Sequence, residues 1–286
     1  MNIIEKEPMK RHTTFKIGGF ADEFCEAENI GDIFSAIKYA EEKNIPLFVM
    51  GNGSNLLVSD KGIRGLVLKL SDRFAKYEIL GDTIKAESGI LLSSLAKTAQ
   101  KNSLSGMEFA AGIPGTLGGA IYMNAGAYGG EMKDIVKSVT FLKDGEIKKI
   151  ESGFGFGYRR SIFADNSAII LEAELKLKKG NPDEIAAKME ELKKRRVEKQ
   201  PLSMASAGST FKRPEGYFAG KLIDDAGLKG YAVGGAAVSE KHSGFVVNQG
   251  NATAEDVILL IKHIQKTVKE KFGVELETEV KMVGEF

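Results

Sequence analysis

The chain of 286 residues has one cysteine, three histidines, six prolines and no tryptophan. A single thiol, Cys25, excludes an intrachain disulfide framework, and with so few imidazoles it leaves little from which to build a thiolate or histidine metal cage. Charge of one sign is also missing. Forty basic residues against 39 acidic ones give a net charge of +1, which argues against a protein that coats nucleic acid or an anionic membrane. No run approaches the roughly 18 apolar residues of a spanning helix, and the start, Met1-Asn2-Ile3-Ile4-Glu5-Lys6-Glu7-Pro8, lacks the apolar core of a signal peptide. The expectation is a cytoplasmic protein, monomeric, with a small-molecule partner and no membrane insertion. The length allows two domains of about 150 residues, each with its own core.

What is abundant is glycine, and it is clustered. Residues Ser105 to Gly130 read SGMEFAAGIPGTLGGAIYMNAGAYGG. Glycine this dense in a chain of ordinary apolar content points to backbone that passes close to a ligand or takes positive φ repeatedly. Within it, Gly112-Ile113-Pro114-Gly115-Thr116-Leu117-Gly118-Gly119-Ala120 offers bare amides and a hydroxyl to an anion such as a pyrophosphate. It is neither a Walker A loop nor a Rossmann fingerprint, because Gly-Lys-Ser/Thr and Gly-x-Gly-x-x-Gly are both absent. A second stretch has the same chemistry. The buried-strand pattern Leu47-Phe48-Val49-Met50 runs into Gly51-Asn52-Gly53-Ser54-Asn55-Leu56, whose donors are all neutral. Asn52-Gly53 also fits a type I′ hairpin turn.

Hydrophobic spacing gives the frame. Ile33, Ala36, Ile37 and Ala40 form a helical stripe after Asp32, and Leu92, Leu95, Ala96 and Ala99 form another. Strands are expected at Ala21–Glu26, Leu66–Leu70, Tyr77–Leu80, Thr83–Glu87, Ser138–Leu142, Glu146–Ile150 and Ala168–Leu177, with Asp144-Gly145 as a hairpin turn. A charged helix from Asn181-Pro182 to about Gln200 bridges the halves; its Lys193-Lys194-Arg195-Arg196 run reads as a solvated face suited to the helix dipole. In the second half a helix is expected from about Tyr217 to Ala226, and another from Thr253, capped by Thr253-x-x-Asp256 and stopped by Gly273. At the end Val274, Leu276, Val280 and Met282 alternate with Glu275, Glu277, Glu279 and Lys281, which places the glutamates on the solvent side of a strand. The class is α+β. Arginines among aromatics, Tyr158-Arg159-Arg160, can stack on a ring or fork onto a carboxylate, or can form a surface pair.

Six motifs taken together resemble one family. His12-Thr13-Thr14-Phe15-Lys16-Ile17-Gly18-Gly19, Gly51 to Asn55, Gly112 to Ala120, Tyr158-Arg159-x-Ser161-x-Phe163, Ala207-Gly208-Ser209-x-Phe211-Lys212-x-Pro214 and Leu276-Glu277-x-Glu279-Val280 stand in the order seen in UDP-N-acetylenolpyruvoylglucosamine reductases, flavoenzymes of peptidoglycan precursor synthesis. The resemblance implies a two-lobed FAD-binding domain of the vanillyl-alcohol-oxidase (PCMH) type over residues 1–180, with lobes of about 1–70 and 71–180, and a smaller α/β substrate-binding domain over 181–286. It implies FAD as cofactor and NADPH as reductant. Arg159 then resembles the arginine that holds the enolpyruvyl carboxylate, Ser209 the proton donor to C2, aided by cations such as Lys212, and Glu279 the third catalytic residue, protonated or sharing a proton. Thr14, Gly51, Asn52, Gly53, Ser54, Asn55, Leu56, Gly112, Ile113, Pro114, Gly115, Thr116, Gly118, Gly119 and Ala120 resemble the cofactor contacts. Tyr158, Lys212, Arg213, Lys229 and His242 are the candidates for the UDP-sugar. The short interval between Phe163 and Ser209 leaves no room for the substrate-clamping loop of longer members, so the resemblance is to the shorter, second type. Two other classes remain: a different oxidoreductase on the same FAD scaffold, which would lack the Ser209 and Glu279 motifs, and a non-catalytic UDP-sugar-binding protein, which would not need Arg159 and Ser209 together.

Overall fold

The computed structural model describes residues 1–164 and 167–286. Two sheets and a helical third layer carry the chain. In the first sheet, strands Ile4–Pro8, Phe20–Ala27, Ile63–Leu70 and Leu47–Met50 lie in that spatial order, the first pair antiparallel and the others parallel. Parallel pairing needs a crossover, and helix α1 (Ile30–Glu42) supplies it, its start held by Asn29, whose side chain accepts from the Asp32 amide. The sheet is apolar on both faces: Cys25, Leu66, Leu68 and Leu70 pack toward α1 and the second sheet, while Ala21, Phe24 and Val67 pack with Met9, Met50 and Val58. The strand Ile4–Pro8 has no expectation behind it; antiparallel pairing with Phe20–Ala27 at the sheet edge makes it a strand.

The second sheet is antiparallel throughout: Glu146–Ile150, Val136–Lys143, Ile169–Lys176, Thr83–Glu87 and Tyr77–Leu80. Asp144 and Gly145 both take positive φ, 54° and 76°, which the tight turn between Lys143 and Glu146 requires. Helices α2 (Leu92–Lys101) and α3 (Leu117–Tyr122) bury Leu92, Leu95, Ala96, Leu117, Ala120 and Ile121 in the core shared with this sheet. Helix α4 (Pro182–Lys199) is capped by Asn181 and carries Pro182 in its first turn. It packs on this half as well: Met189 joins the same core, and Lys178–Lys179 just before it pairs with Leu104–Ser105.

The third layer holds α5 (Ala219–Asp225), the three short strands Ala232–Val233, Ala236–Val238 and Val246–Asn248, and α6 (Ala254–Phe272). The capping box at Thr253 and Asp256 forms as expected, and Gly273 ends α6 at φ 70°. Val257, Leu260, Ile261, Ile264 and Val268 make the inward stripe of α6, each worth roughly 1.5–3 kcal/mol on burial. Phe15, Ile17 and Leu57 from the first half are part of this core, so the His12–Gly19 segment fastens the third layer to the first sheet.

Two expectations fail. Leu47–Met50 and Leu56–Val58 are not partners: the first pairs with Ile63–Leu70 and the second with Lys281–Val283 in parallel, so Asn52-Gly53 is no hairpin turn. Gly53 has positive φ and Asn52 does not, whereas a type I′ turn needs both. The final alternating stretch is also not one strand. Only Lys281–Val283 is a strand, Thr278 makes an isolated bridge to Phe211, and Met282 is exposed while Glu279 is turned inward. Alternation states which residues differ, and the partner decides which side is inside.

Candidate active site

The two glycine-rich loops meet. The Asn52 side-chain amide donates to the Pro114 carbonyl at 2.6 Å, and a Cβ added to Gly51 would lie 2.3 Å from the Thr116 hydroxyl oxygen. Only a residue without a side chain permits that approach, since Thr116 is buried and caps α3. The His12–Gly19 segment closes on the same place. A Cβ on Gly53 would sit 2.2 Å from the His12 carbonyl, the Thr14 amide donates to the Gly53 carbonyl at 3.4 Å, and the Thr14 hydroxyl donates to the Ser206 carbonyl at 2.7 Å. The expected cofactor contacts Thr14, Gly51 to Leu56 and Gly112 to Ala120 are thus brought into one cradle of close backbones.

Next to it the catalytic candidates converge. Gly157 and Arg160 exchange backbone hydrogen bonds at 3.0 and 3.3 Å, making Tyr158 and Arg159 the two central residues of a tight turn. Arg159 has φ 55°, in the second central position that ordinarily selects glycine in a type II turn. A left-handed arginine costs about 1–2 kcal/mol and is kept only where surroundings enforce it. Its Nε donates to Glu279 Oε1 at 2.6 Å, across 120 positions of sequence, and both side chains are mostly shielded, 22% and 12% exposed. Burial raises the Glu279 carboxyl above its ordinary value; the Arg159 and Lys212 charges oppose that shift without cancelling it. Glu279 is fixed from both sides of its backbone: its amide donates to the Thr210 carbonyl at 2.8 Å, and its carbonyl accepts from the Asn55 side chain at 3.0 Å. The first glycine loop therefore aligns the segment, just before the strand Lys281–Val283, that carries the carboxyl.

Ser209, half-buried beside Thr210, lines the same cleft of about 510 Å³ as Tyr158, Arg159, Arg213, Lys229, His242 and Glu279. His242 Nδ1 accepts from the Gly244 amide at 3.0 Å, which leaves Nε2 as the protonated nitrogen, and burial lowers its pKa. The rim is aromatic: the Tyr158 hydroxyl accepts from the Arg213 amide at 3.0 Å, and the Arg213 guanidinium lies 4.0 Å over the exposed Phe218 ring.

Two residues depart from their expected places. Lys212 lines the neighbouring depression and donates to Glu277, so its ammonium faces that carboxylate instead of entering the cleft of Ser209. Arg196 is not part of a solvated face. Lys193, Lys194 and Arg195 are exposed, but Arg196 turns inward against Gly112, and a Cβ there would meet its Nη1 at 2.7 Å. The 3.6-residue period of α4 puts one member of a basic run on the inner side, a signal present in the sequence but masked by the three charges before it.

Comparison with known proteins follows the same division. Residues 21–151 match a family model described as an FAD binding domain, and residues 200–283 match one described as the UDP-N-acetylenolpyruvoylglucosamine reductase, C-terminal domain. The UDP-N-acetylenolpyruvoylglucosamine reductase of Caldanaerobacter subterraneus is 57% identical over 98% of this chain and 93% of its own length; that of Alkaliphilus oremlandii is 56% identical over 99% and 94%. The chain belongs to the UDP-N-acetylenolpyruvoylglucosamine reductase family. The crystal structure of the family member from Thermus caldophilus superposes with a TM-score of 0.85 at 37% identity, over 99% of this chain and 98% of that one. Family membership makes the chain an FAD-containing oxidoreductase with a two-lobed FAD domain and a reductase C-terminal domain. The cradle fits that cofactor on its own terms: Gly51, Gly53, Gly112 and Gly118, where a Cβ would collide, neutral donors around them, and a buried Ser88 hydroxyl with no partner, 3.5 Å from the position a Gly118 Cβ would take. The C-terminal match begins after α4, in keeping with the packing of that helix on the first half.

Proposed function

We propose that the cleft reduces the enolpyruvyl group of UDP-N-acetylglucosamine enolpyruvate to give UDP-N-acetylmuramate, a cytoplasmic step of peptidoglycan precursor synthesis, and that the substrate-binding unit begins after α4. The carrying observation is the Arg159–Glu279 pair at 2.6 Å, sharing a cleft with Ser209 and adjoining the glycine cradle. Thr14, Gly51 to Leu56 and Gly112 to Ala120 would hold FAD, which, once reduced by NADPH, would supply the hydride for C3 of the enol ether.

The chain's own residues do the rest. Arg159 binds the substrate carboxylate through a planar guanidinium whose donors match its two oxygens, and stabilises the extra charge that reaches this carboxylate as C3 gains the hydride. Burial raises the Glu279 pKa, which favours a neutral carboxyl that shares its hydrogen with the same oxygen, and keeps it through the step, over a repelling charge. Ser209 then donates its hydroxyl proton to C2, completing saturation of the double bond, and solvent reprotonates the oxygen. A serine is a weak acid, so the step depends on positive potential close to its hydroxyl, for which the Arg159 and Arg213 guanidinium groups on the cleft wall are the sources; Lys229 on the same wall is paired with Asp224 at 3.5 Å. The Nε2–H of His242 is available to the diphosphate, as is the Lys229 ammonium once it turns from Asp224, and the Tyr158, Arg213 and Phe218 rim to the uracil ring.

Anaerobic stopped-flow separates this reading from its rivals. Ser209→Ala bleaches with NADPH at the wild-type rate but recolours on adding the enolpyruvyl substrate about 10²- to 10⁴-fold more slowly, the loss of a positioned general acid. Unaltered recolouring sinks the proton-donor role, and bleaching of the oxidised flavin by an unrelated alcohol or lactone, with no recolouring of the reduced flavin by the sugar nucleotide, sinks the substrate assignment.

A further inference from the structure

Three buried side-chain polar atoms among the described residues have no hydrogen-bond partner: Glu23 Oε2, Ser88 Oγ and Arg196 Nε. The last two both lie against the Gly112–Gly119 segment, Ser88 beside Gly118 and Arg196 beside Gly112. A buried guanidinium nitrogen left unpaired is costly, and among the described residues no carboxylate comes within ion-pair reach of Arg196. Desolvation accordingly lowers its pKa; Tyr128 is the other group close enough to act on it.

The loops it faces have the complementary deficit. Neither Gly51-Asn52-Gly53-Ser54-Asn55-Leu56 nor Gly112-Ile113-Pro114-Gly115-Thr116-Leu117-Gly118-Gly119-Ala120 contains a basic side chain. A dinucleotide brings a doubly charged pyrophosphate into a partly desolvated cradle, and neutral amides alone leave that charge without a counter-ion.

We propose that Arg196, delivered from the last turn of α4, is the cationic contact for the anionic bridge of the bound dinucleotide, its Nε and Nη1 donating into the space beside Gly112. A Cβ on Gly112 would lie 2.7 Å from Arg196 Nη1 and 3.1 Å from its Cδ, so a side chain there would push the arginine aside. α4 thereby becomes part of the cofactor site, and the basic run at its end divides into three solvated charges and one functional one. The inference rests on the reading that the two glycine loops hold FAD.

The test is equilibrium binding of FAD to apoprotein, followed by quenching of flavin fluorescence over a range of NaCl concentrations. Arg196→Met raises the dissociation constant about ten- to a hundredfold, the range for one charged hydrogen bond, and flattens its dependence on salt. Arg196→Lys recovers part of the affinity and keeps the wild-type salt slope. A purely structural arginine predicts the opposite pattern: a lower apoprotein melting temperature with an unchanged dissociation constant, or a rise that keeps the wild-type slope in Arg196→Met. Either result overturns the proposal. If Arg196→Met does not fold, Arg196→Gln is judged by the same two readouts. Gly51→Ala, measured alongside, tests the cradle itself: undiminished FAD binding there removes the loops from the cofactor site, whatever Arg196 does.

Discussion

Asn124 offers the most searching test of how the active turn is held. It is fully buried at φ 45°, just past α3, and its side chain makes three hydrogen bonds. The amide donates to the Gly157 carbonyl at 3.0 Å and to Glu131 Oε2 at 2.8 Å, and the oxygen accepts from the Lys133 amide at 2.9 Å. The first of these anchors the turn that presents Arg159; the second involves a carboxylate kept ionised first of all by Lys133. Asn124→Gly is the informative change, because glycine accepts the left-handed backbone and only the side-chain bonds are lost. Two neutral bonds at about 1 kcal/mol and one to a charged group at about 1.5–3 kcal/mol sum to about 3.5–5 kcal/mol, and non-additivity brings the expected loss of stability to about 3 kcal/mol, read as a lower urea midpoint. Once the anchor is gone, Arg159 can relax from its positive φ, worth about 1–2 kcal/mol, so productive orientation costs about 5- to 30-fold in rate. Stopped-flow should show that loss in flavin reoxidation by the enolpyruvyl substrate, with a smaller change in reduction by NADPH. A stability loss with both half-reactions slowed equally would mean that Asn124 supports the fold and does not orient Arg159.

Three other outcomes follow from single observations. Burial pushes the Cys25 thiol up to about 11, so Ellman's reagent should find no reactive thiol in the native protein at pH 8 and one after denaturation; rapid native labelling would contradict its burial. Because the folded state raises the Glu279 pKa, ionising it costs stability as pH rises from the unfolded value through the folded one. Glu279→Gln should therefore gain melting temperature relative to the parent above that range and lose the gain below it; a pH-independent difference would refute the raised pKa. Gly51→Ala forces the Thr116 hydroxyl from its cap and should yield protein purified without yellow colour, partly restored in Gly51→Ala/Thr116→Gly; undiminished flavin content in the single variant would show that the loops can part.

Much of the frame was legible locally. The α1, α2 and α6 stripes, the Asn181 and Thr253 caps, the Asp144-Gly145 turn and the strands Tyr77–Leu80, Thr83–Glu87 and Glu146–Ile150 follow from periodicity and turn chemistry, which act over a few residues. Glu279 and Arg196 were read on the wrong side for one reason. Their neighbours Glu275, Glu277, Lys193 and Lys194 are charged and exposed, and a local pattern assigns a residue the environment of its neighbours.

The sequence by itself determined that this is an α+β chain with two glycine-rich loops and a small set of ordered motifs, because glycine's freedom, helical period and capping are properties of short segments. Only the tertiary structure decided that Asn52 reaches Pro114, that Asn55 ties Glu279 into place, and that Arg159 and Glu279 meet across 120 residues. Contacts of that span depend on how sheets and helices stack, and burial, which decides whether a carboxyl keeps its proton or a guanidinium lacks a partner, exists only once they have stacked.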